Sequence, residues 1–233
     1  MASTDHLGVE AGEFGRFPDV ALTRTLALLA AGVAVIAVAG LLGYLPGLRV
    51  LGSFGSGYIP MAPATAVCFL ILSSALLGLA RTSWRGAGLL GIAALVTLVT
   101  AFSILDVLGE LVGTEINFES AMIPAAGMLG GVPVGRMSPA TAIAFSLAGP
   151  ATLLLVWRSG SVRYARRLGN WVSVLGALTL LVGTTDLLSY LYGTPLMYHG
   201  TSVPMAASTA VAFVLLGVAL ALVAGPDSFV VRR

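Results

Sequence analysis

Two aspartates stand inside apolar runs long enough to cross a bilayer, Asp106 and Asp186. Ionisable groups at membrane depth are costly, and where they occur they are candidates for ion, proton or ligand sites. Each has a companion four residues on, on the same helical face: Glu110 after Asp106, and Tyr190 after Asp186. Together with Thr184 and Thr185 they could form a polar vestibule for a cation, a proton or a polar headgroup. The competing reading is that both carboxylates reach the membrane interface and bond loop backbone or threonine hydroxyls. A second polar set follows Asp106: Glu115, Asn117 and Glu119, ahead of an apolar run at 121–134 that holds Gly127, Gly130 and Gly131. That loop suits an acidic, glycine-rich lid or a docking surface for another subunit. Its carboxylates lack any recognised calcium-ligand spacing.

Most other chemistry fails on inventory. The two histidines, His6 and His199, fall in a tail and a loop. A haem or chlorophyll held by an intramembrane histidine is therefore not expected. A zinc site lacks ligands. The lone Cys68 sits in the middle of an apolar run and reads as a small core residue. No nucleophile elbow, phosphate loop or dinucleotide fingerprint is present, so no enzyme is expected. No cofactor is required by the sequence, although an apolar bundle could hold lipid, a quinone or a carotenoid.

The elements that must position these residues follow from composition. Of 233 residues, 58% are hydrophobic and only 9% are charged. A soluble globular chain carries roughly 25% charged residues, and 22 charges cannot cover a body of this size. With a mean hydropathy of +0.99, the solvent is a bilayer. The net charge of +2 is too small for a nucleic-acid footprint. Spanning the apolar layer takes about 20 residues of helix. Six runs meet that length, at 20–43, 60–80, 87–108, 137–157, 169–192 and 204–224. The expected fold is an all-α integral membrane bundle of six transmembrane helices, in a membrane domain over 20–224 between tails at 1–19 and 225–233. All the strong bases are arginines. With an even number of spans, Arg16, Arg24, Arg81, Arg85, Arg158, Arg163, Arg166, Arg167, Arg232 and Arg233 share one side, and only Arg49 and Arg136 the other. The positive-inside rule makes the first side cytoplasmic, with both termini there. The acidic N-terminal tail is unlike the basic start of a secretory signal. Trp84, Trp157 and Trp171, with Tyr44, Tyr58, Tyr190, Tyr192 and Tyr198, fall near helix ends as an aromatic belt.

The chain also repeats itself. The starts of the second, fourth and sixth runs share Met-x-x-x-Thr-Ala-x-x-Phe, as Met61, Thr65 and Phe69, then Met137, Thr141 and Phe145, then Met205, Thr209 and Phe213. A looser pattern closes the first, third and fifth runs, from Gly40, Asp106 and Asp186 to Gly47, Gly113 and Gly193. The expected unit is helix, outer loop, helix, three times over (about 20–80, 87–157 and 169–224). Met, Thr and Phe lie four apart and share one face. That face is either a packing stripe, with small residues allowing close helix contact, or a stripe facing a ligand. Proline at a helix start is tolerated, and the closing glycines suit left-handed caps.

The segment from Gly135 to Phe145, and Gly-Tyr-Leu-x-Gly followed by Pro-Met-x-x-x-Thr-Ala-x-x-Phe, resembles the N-terminal membrane region of bacterial sensor histidine kinases, some of which carry PAS or GAF domains. The resemblance covers about 21–226. It implies a multi-helix sensory or anchoring module. The nine residues after 224 hold no PAS, GAF or kinase sequence, so kinase activity is not carried over. Three functions stay open. One is an accessory subunit of a larger integral-membrane complex, binding lipid or another hydrophobic ligand. The second is a stand-alone sensor module acting through a partner. The third is a small transporter using Asp106 and Asp186. The expected partners are membrane lipids and other integral-membrane subunits, and the expected location is the bacterial inner membrane.

Overall fold

In a bilayer every backbone N–H and C=O must be paired within the protein, and long runs of Leu, Ala and Val do this as helices. A computed structural model describes residues 20–55, 58–81, 86–113, 128–129, 132–133, 135–158, 165–192 and 203–223. Its helices are α1 (Val20–Leu42), α2 (Arg49–Ser53), α3 (Pro63–Arg81), α4 (Gly86–Val112), α5 (Pro139–Arg158), α6 (Ala165–Leu191) and α7 (Ala207–Val223). Between α4 and α5 a minimal antiparallel hairpin pairs β1 (Met128–Leu129) with β2 (Val132–Pro133).

The expected six spans in three helix-loop-helix units are corrected on two counts. Among the described residues there are seven helices, and five are long and apolar enough to cross a membrane: α1, α3, α4, α5 and α6. The sixth apolar helix, α7, has 17 residues. At 1.5 Å per residue it reaches about 25 Å, short of a hydrocarbon layer about 30 Å thick. Its sequence run began at Pro204, but residues 203–206 are not helical and the helix opens at Ala207. The second correction is α2, a five-residue helix inside the loop between α1 and α3. Apolar run length cannot register either feature, because it does not separate helical from extended apolar chain. Pro60 likewise stands three residues ahead of its helix, whereas Pro63 and Pro139 are first residues.

Packing divides the helices into inner and outer sets. α1 lies against α3 and α7, α4 against α5 and α3, and α6 against α7 and α5. The inner helices α3, α5 and α7 meet one another in the centre. α1 buries a single stripe, Leu26, Ala30, Val33, Ala37 and Gly40, at helical spacing. α7 is buried over most of its circumference from Ala207 to Val223, with one half-buried stripe at Val211, Val214, Leu215, Val218 and Leu222. It can sit so deep because α6 approaches without side chains between. A Cβ on Gly217 would meet the Leu180 backbone nitrogen at 2.5 Å, and one on Gly176 the Ala221 nitrogen at 2.8 Å. Such small-residue contacts suit bilayers, where helices associate by packing. Gly113 follows α4 with φ 71°, the left-handed cap expected of it. Gly47 has φ 84° but lies in the turn before α2 rather than directly on α1. Gly193 lies outside the described residues.

The chain is thus a polytopic all-α membrane protein. Among its described residues no three His, Cys, Asp or Glu side chains come together to hold a metal ion.

Candidate functional site

The three Met-x-x-x-Thr-Ala-x-x-Phe segments come to one place. Each begins just before an inner helix and runs into its first turns, so Met61, Met137 and Met205, Thr65, Thr141 and Thr209, and Phe69, Phe145 and Phe213 are all buried. The phenylalanine rings form a closed triangle. Centroid separations are 4.8 Å for Phe69–Phe145, 4.7 Å for Phe69–Phe213 and 4.7 Å for Phe145–Phe213, with interplanar angles of 57–64°. Tilted contacts at this range are favoured between aromatic quadrupoles. The rings fill the space among α3, α5 and α7.

One turn toward the helix N-termini, the threonines face a small chamber. Thr65, Thr141, Thr209, Ser138 and Arg136 line it, and its volume is about 10 Å³. That is close to the least space that holds one water. The chamber sits where the first turns of three helices converge. The first N–H groups of a helix have no intrahelical acceptor, and each helix N-terminus carries a partial positive charge. In α5 the sequence supplies its own cap: Ser138 Oγ accepts from Thr141 N at 3.2 Å and lies 2.8 Å from Thr141 Oγ1.

Thr65 and Thr209 differ from Thr141. Each is 1% exposed. Six other threonines, Thr25, Thr97, Thr100, Thr152, Thr179 and Thr185, donate to the carbonyl four residues back at 2.8–3.0 Å. For Thr65 and Thr209 that carbonyl belongs to Met61 or Met205, which precede the helix and so do not lie beneath it. Both carbonyls are taken by tyrosines instead: Tyr44 OH donates to Met61 O at 3.1 Å, and Tyr190 OH to Met205 O at 2.5 Å. Thr65 and Thr209 line the chamber beside Thr141.

The surrounding loops hold this geometry. Gly52 O in α2 accepts from Met61 N at 3.0 Å and from Ser208 Oγ at 2.7 Å, tying the loop between α1 and α3 to the start of α7. Gly40 permits the seat of Met61, since a Cβ there would meet the Met61 sulfur at 2.9 Å. Tyr190 also packs edge-on against Tyr58, with ring centroids 5.2 Å apart.

The acidic candidates lie elsewhere. Asp106 is half-buried on α4 and Glu110, one turn on, is exposed. Arg136 is near enough to Asp106 for direct electrostatic attraction. Asp186 is 5% exposed. Neither aspartate lines the chamber. Glu115, Asn117 and Glu119 lie outside the described residues. Sequence reasoning placed Arg136 only by its side of the membrane, put Tyr44 and Tyr190 in the aromatic belt and paired Tyr190 with Asp186 as a candidate site; the structure gives all three a place in or around the chamber. The signal for the tyrosines was already present, since both occupy the same slot of the looser repeat. A second concavity, an open groove of about 290 Å³ beside Arg167, Asn170, Trp171 and Val174, marks the far end of α6. Trp157 and Trp171 are exposed there, as residues at headgroup level are.

Comparison with known protein families, with curated proteins and with solved structures finds no match to this chain.

Proposed function

We propose that the chain is a non-catalytic accessory subunit of a larger integral-membrane complex, built on a binding module of the kind found in sensor-kinase membrane regions. The observation that carries this reading is the open face of α4. That helix buries Ile92, Val96, Val99, Thr100, Ser103 and Gly109 against the bundle. On its exposed side it presents Ala87, Gly91 and Ala94, and nothing lies within 4 Å of the place where a Gly91 side chain would be. Small residues at helical spacing allow another helix to approach closely, which is how helices associate in lipid. The arginine bias supports putting the helix ends that carry Arg24, Arg81, Arg158 and Arg167 on the cytoplasmic side, which would turn the chamber toward the outer face. Lipid, quinone or carotenoid would lie along the outer helices, because the chamber holds only one small species.

Isolation of the tagged chain from native membranes in mild detergent tests this. A fixed ratio to one or more other membrane proteins is expected. Recovery of the chain alone, or in variable ratios, would overturn the accessory role.

A second reading, a sensor module acting through a separate partner, has its own support. The residues that carry the resemblance to sensor kinases, from Gly135 to Phe145, are those that build the α5 side of the chamber. A transporter would need a path along the axis, where three phenylalanine rings lie in contact.

A further inference from the structure

We propose that the loop between α1 and α3 is a lipid anchor, with α2 lying in the headgroup layer and its outward side chains among the upper acyl chains. This goes beyond the accessory role and does not depend on it. Leu45, Leu48, Val50, Leu51 and Phe54 are between 39% and 57% exposed. The other side of α2, Gly52 and Ser53, is buried against the bundle. Phe54 holds its place against its own backbone preference. It follows α2 with φ 59° and ψ 7°, and among the described residues no other side-chain-bearing residue has a positive φ. That left-handed conformation is disfavoured for a bulky residue. Here it turns an aromatic ring away from the core, where the protein itself gains little from it.

The platform beneath is firm. A Cβ on Gly43 would meet Gly52 Cα at 2.8 Å, so α2 lies directly on the end of α1. Gly52 O also accepts from Ser208 Oγ at the start of α7. Depth follows from α1. Its 23 residues rise about 34 Å, slightly more than a hydrocarbon layer about 30 Å thick. The last turn of α1, and α2 against it, therefore stand at the boundary between acyl chains and headgroups. The outward stripe of α1, Leu28, Val35, Val38 and Leu42, leads on to Leu45, so the lipid-facing surface continues onto the loop. From 41 to 58 the chain has no acid, and Arg49 is its one charge. An apolar face with a single cation matches acyl chains beneath and lipid phosphates above. Water would leave that face exposed at a cost that grows with its area.

A fluorophore sensitive to its surroundings, attached through Phe54→Cys in a Cys68→Ala background, tests this. The full chain is placed in vesicles of phosphatidylcholine and phosphatidylglycerol, with or without bromine on the upper acyl chains. Loss of emission in brominated vesicles, with no loss on adding iodide to the water, is the expected result. Quenching by iodide alone would put the loop in water, and quenching by neither would mean that protein covers it; both overturn the proposal. If Phe54→Cys does not fold, Leu51→Cys carries the probe. In intact cells, p-benzoylphenylalanine in place of Phe54 should photo-crosslink to phospholipid. A crosslink to a second protein would overturn the lipid assignment while leaving the accessory role standing.

Discussion

Phe69, Phe145 and Phe213 have one another as neighbours, so each ring owes part of its packing to the other two. Replacing Phe145 by alanine should cost about 3–5 kcal/mol, as for other buried aromatics. It should also open the chamber floor. The double replacement of Phe145 and Phe213 should cost less than the sum of the single ones, because the second loss includes a contact already gone. Unfolding in a detergent series gives both values. Additivity would mean that the rings pack on their own helices rather than on each other. Tyr190→Phe deprives the Met205 carbonyl of its donor and should cost about 1 kcal/mol. Much of this was legible in the sequence. The Met, Thr and Phe stripe was visible from spacing, and its burial follows from its composition. The chamber was not, because Arg136 and Ser138 belong to it through the path of the chain before α5, which no periodicity encodes. The two aspartates drew attention by their charge. The structure shows them on separate helices, with Asp106 drawn toward Arg136 and Asp186 buried one turn below Tyr190.

Helix against helix, contact in this bundle depends on where glycine is and is not enclosed. Gly217 touches the Leu180 backbone, and any side chain there must part α6 from α7. Gly217→Ala should destabilise by about 1–3 kcal/mol, the usual cost of overpacking. Gly91 faces open space. Gly91→Ala should leave the isolated chain unchanged or raise its stability by up to about 1 kcal/mol, through helix propensity. Gly91→Leu should be equally harmless to the isolated chain, yet it fills the notch on α4. Loss of co-purifying subunits with an unchanged Tm is therefore expected of Gly91→Leu. Retention of those subunits would show that a partner docks elsewhere. The sequence places α1, α3, α4, α5 and α6 close to where they lie, because their apolar runs have the length of helices. It misplaces the start of α7, since Pro204, Met205 and Ala206 are as apolar as the helix that follows. It also misses α2, whose five residues carry too few side chains for a period to emerge.

The whole molecule is an inner group of three helices, wrapped by outer helices that turn broad apolar surface outward. Leu28 and Val35 on α1, Leu90, Leu98 and Leu111 on α4, and Leu181 and Leu191 on α6 are all exposed. A bilayer or neighbouring helices must cover them, and this places the chain in a membrane. Its direction there rests on the arginines. In a cysteine-free background made by replacing Cys68, cysteine at position 47 should react with an impermeant thiol reagent from outside cells. Cysteine at position 81 should react only after lysis. The reverse pattern would invert the topology and put the chamber on the cytoplasmic side. Composition made membrane residence legible, but which faces meet protein and which meet lipid depends on what surrounds the chain. Native mass spectrometry of the chain released directly from its own membrane tests the central claim most directly. The account predicts an assembly in which this 23.7 kDa chain is joined to other membrane proteins in constant stoichiometry. Ions at the mass of the chain alone, or at its simple multiples, would contradict it.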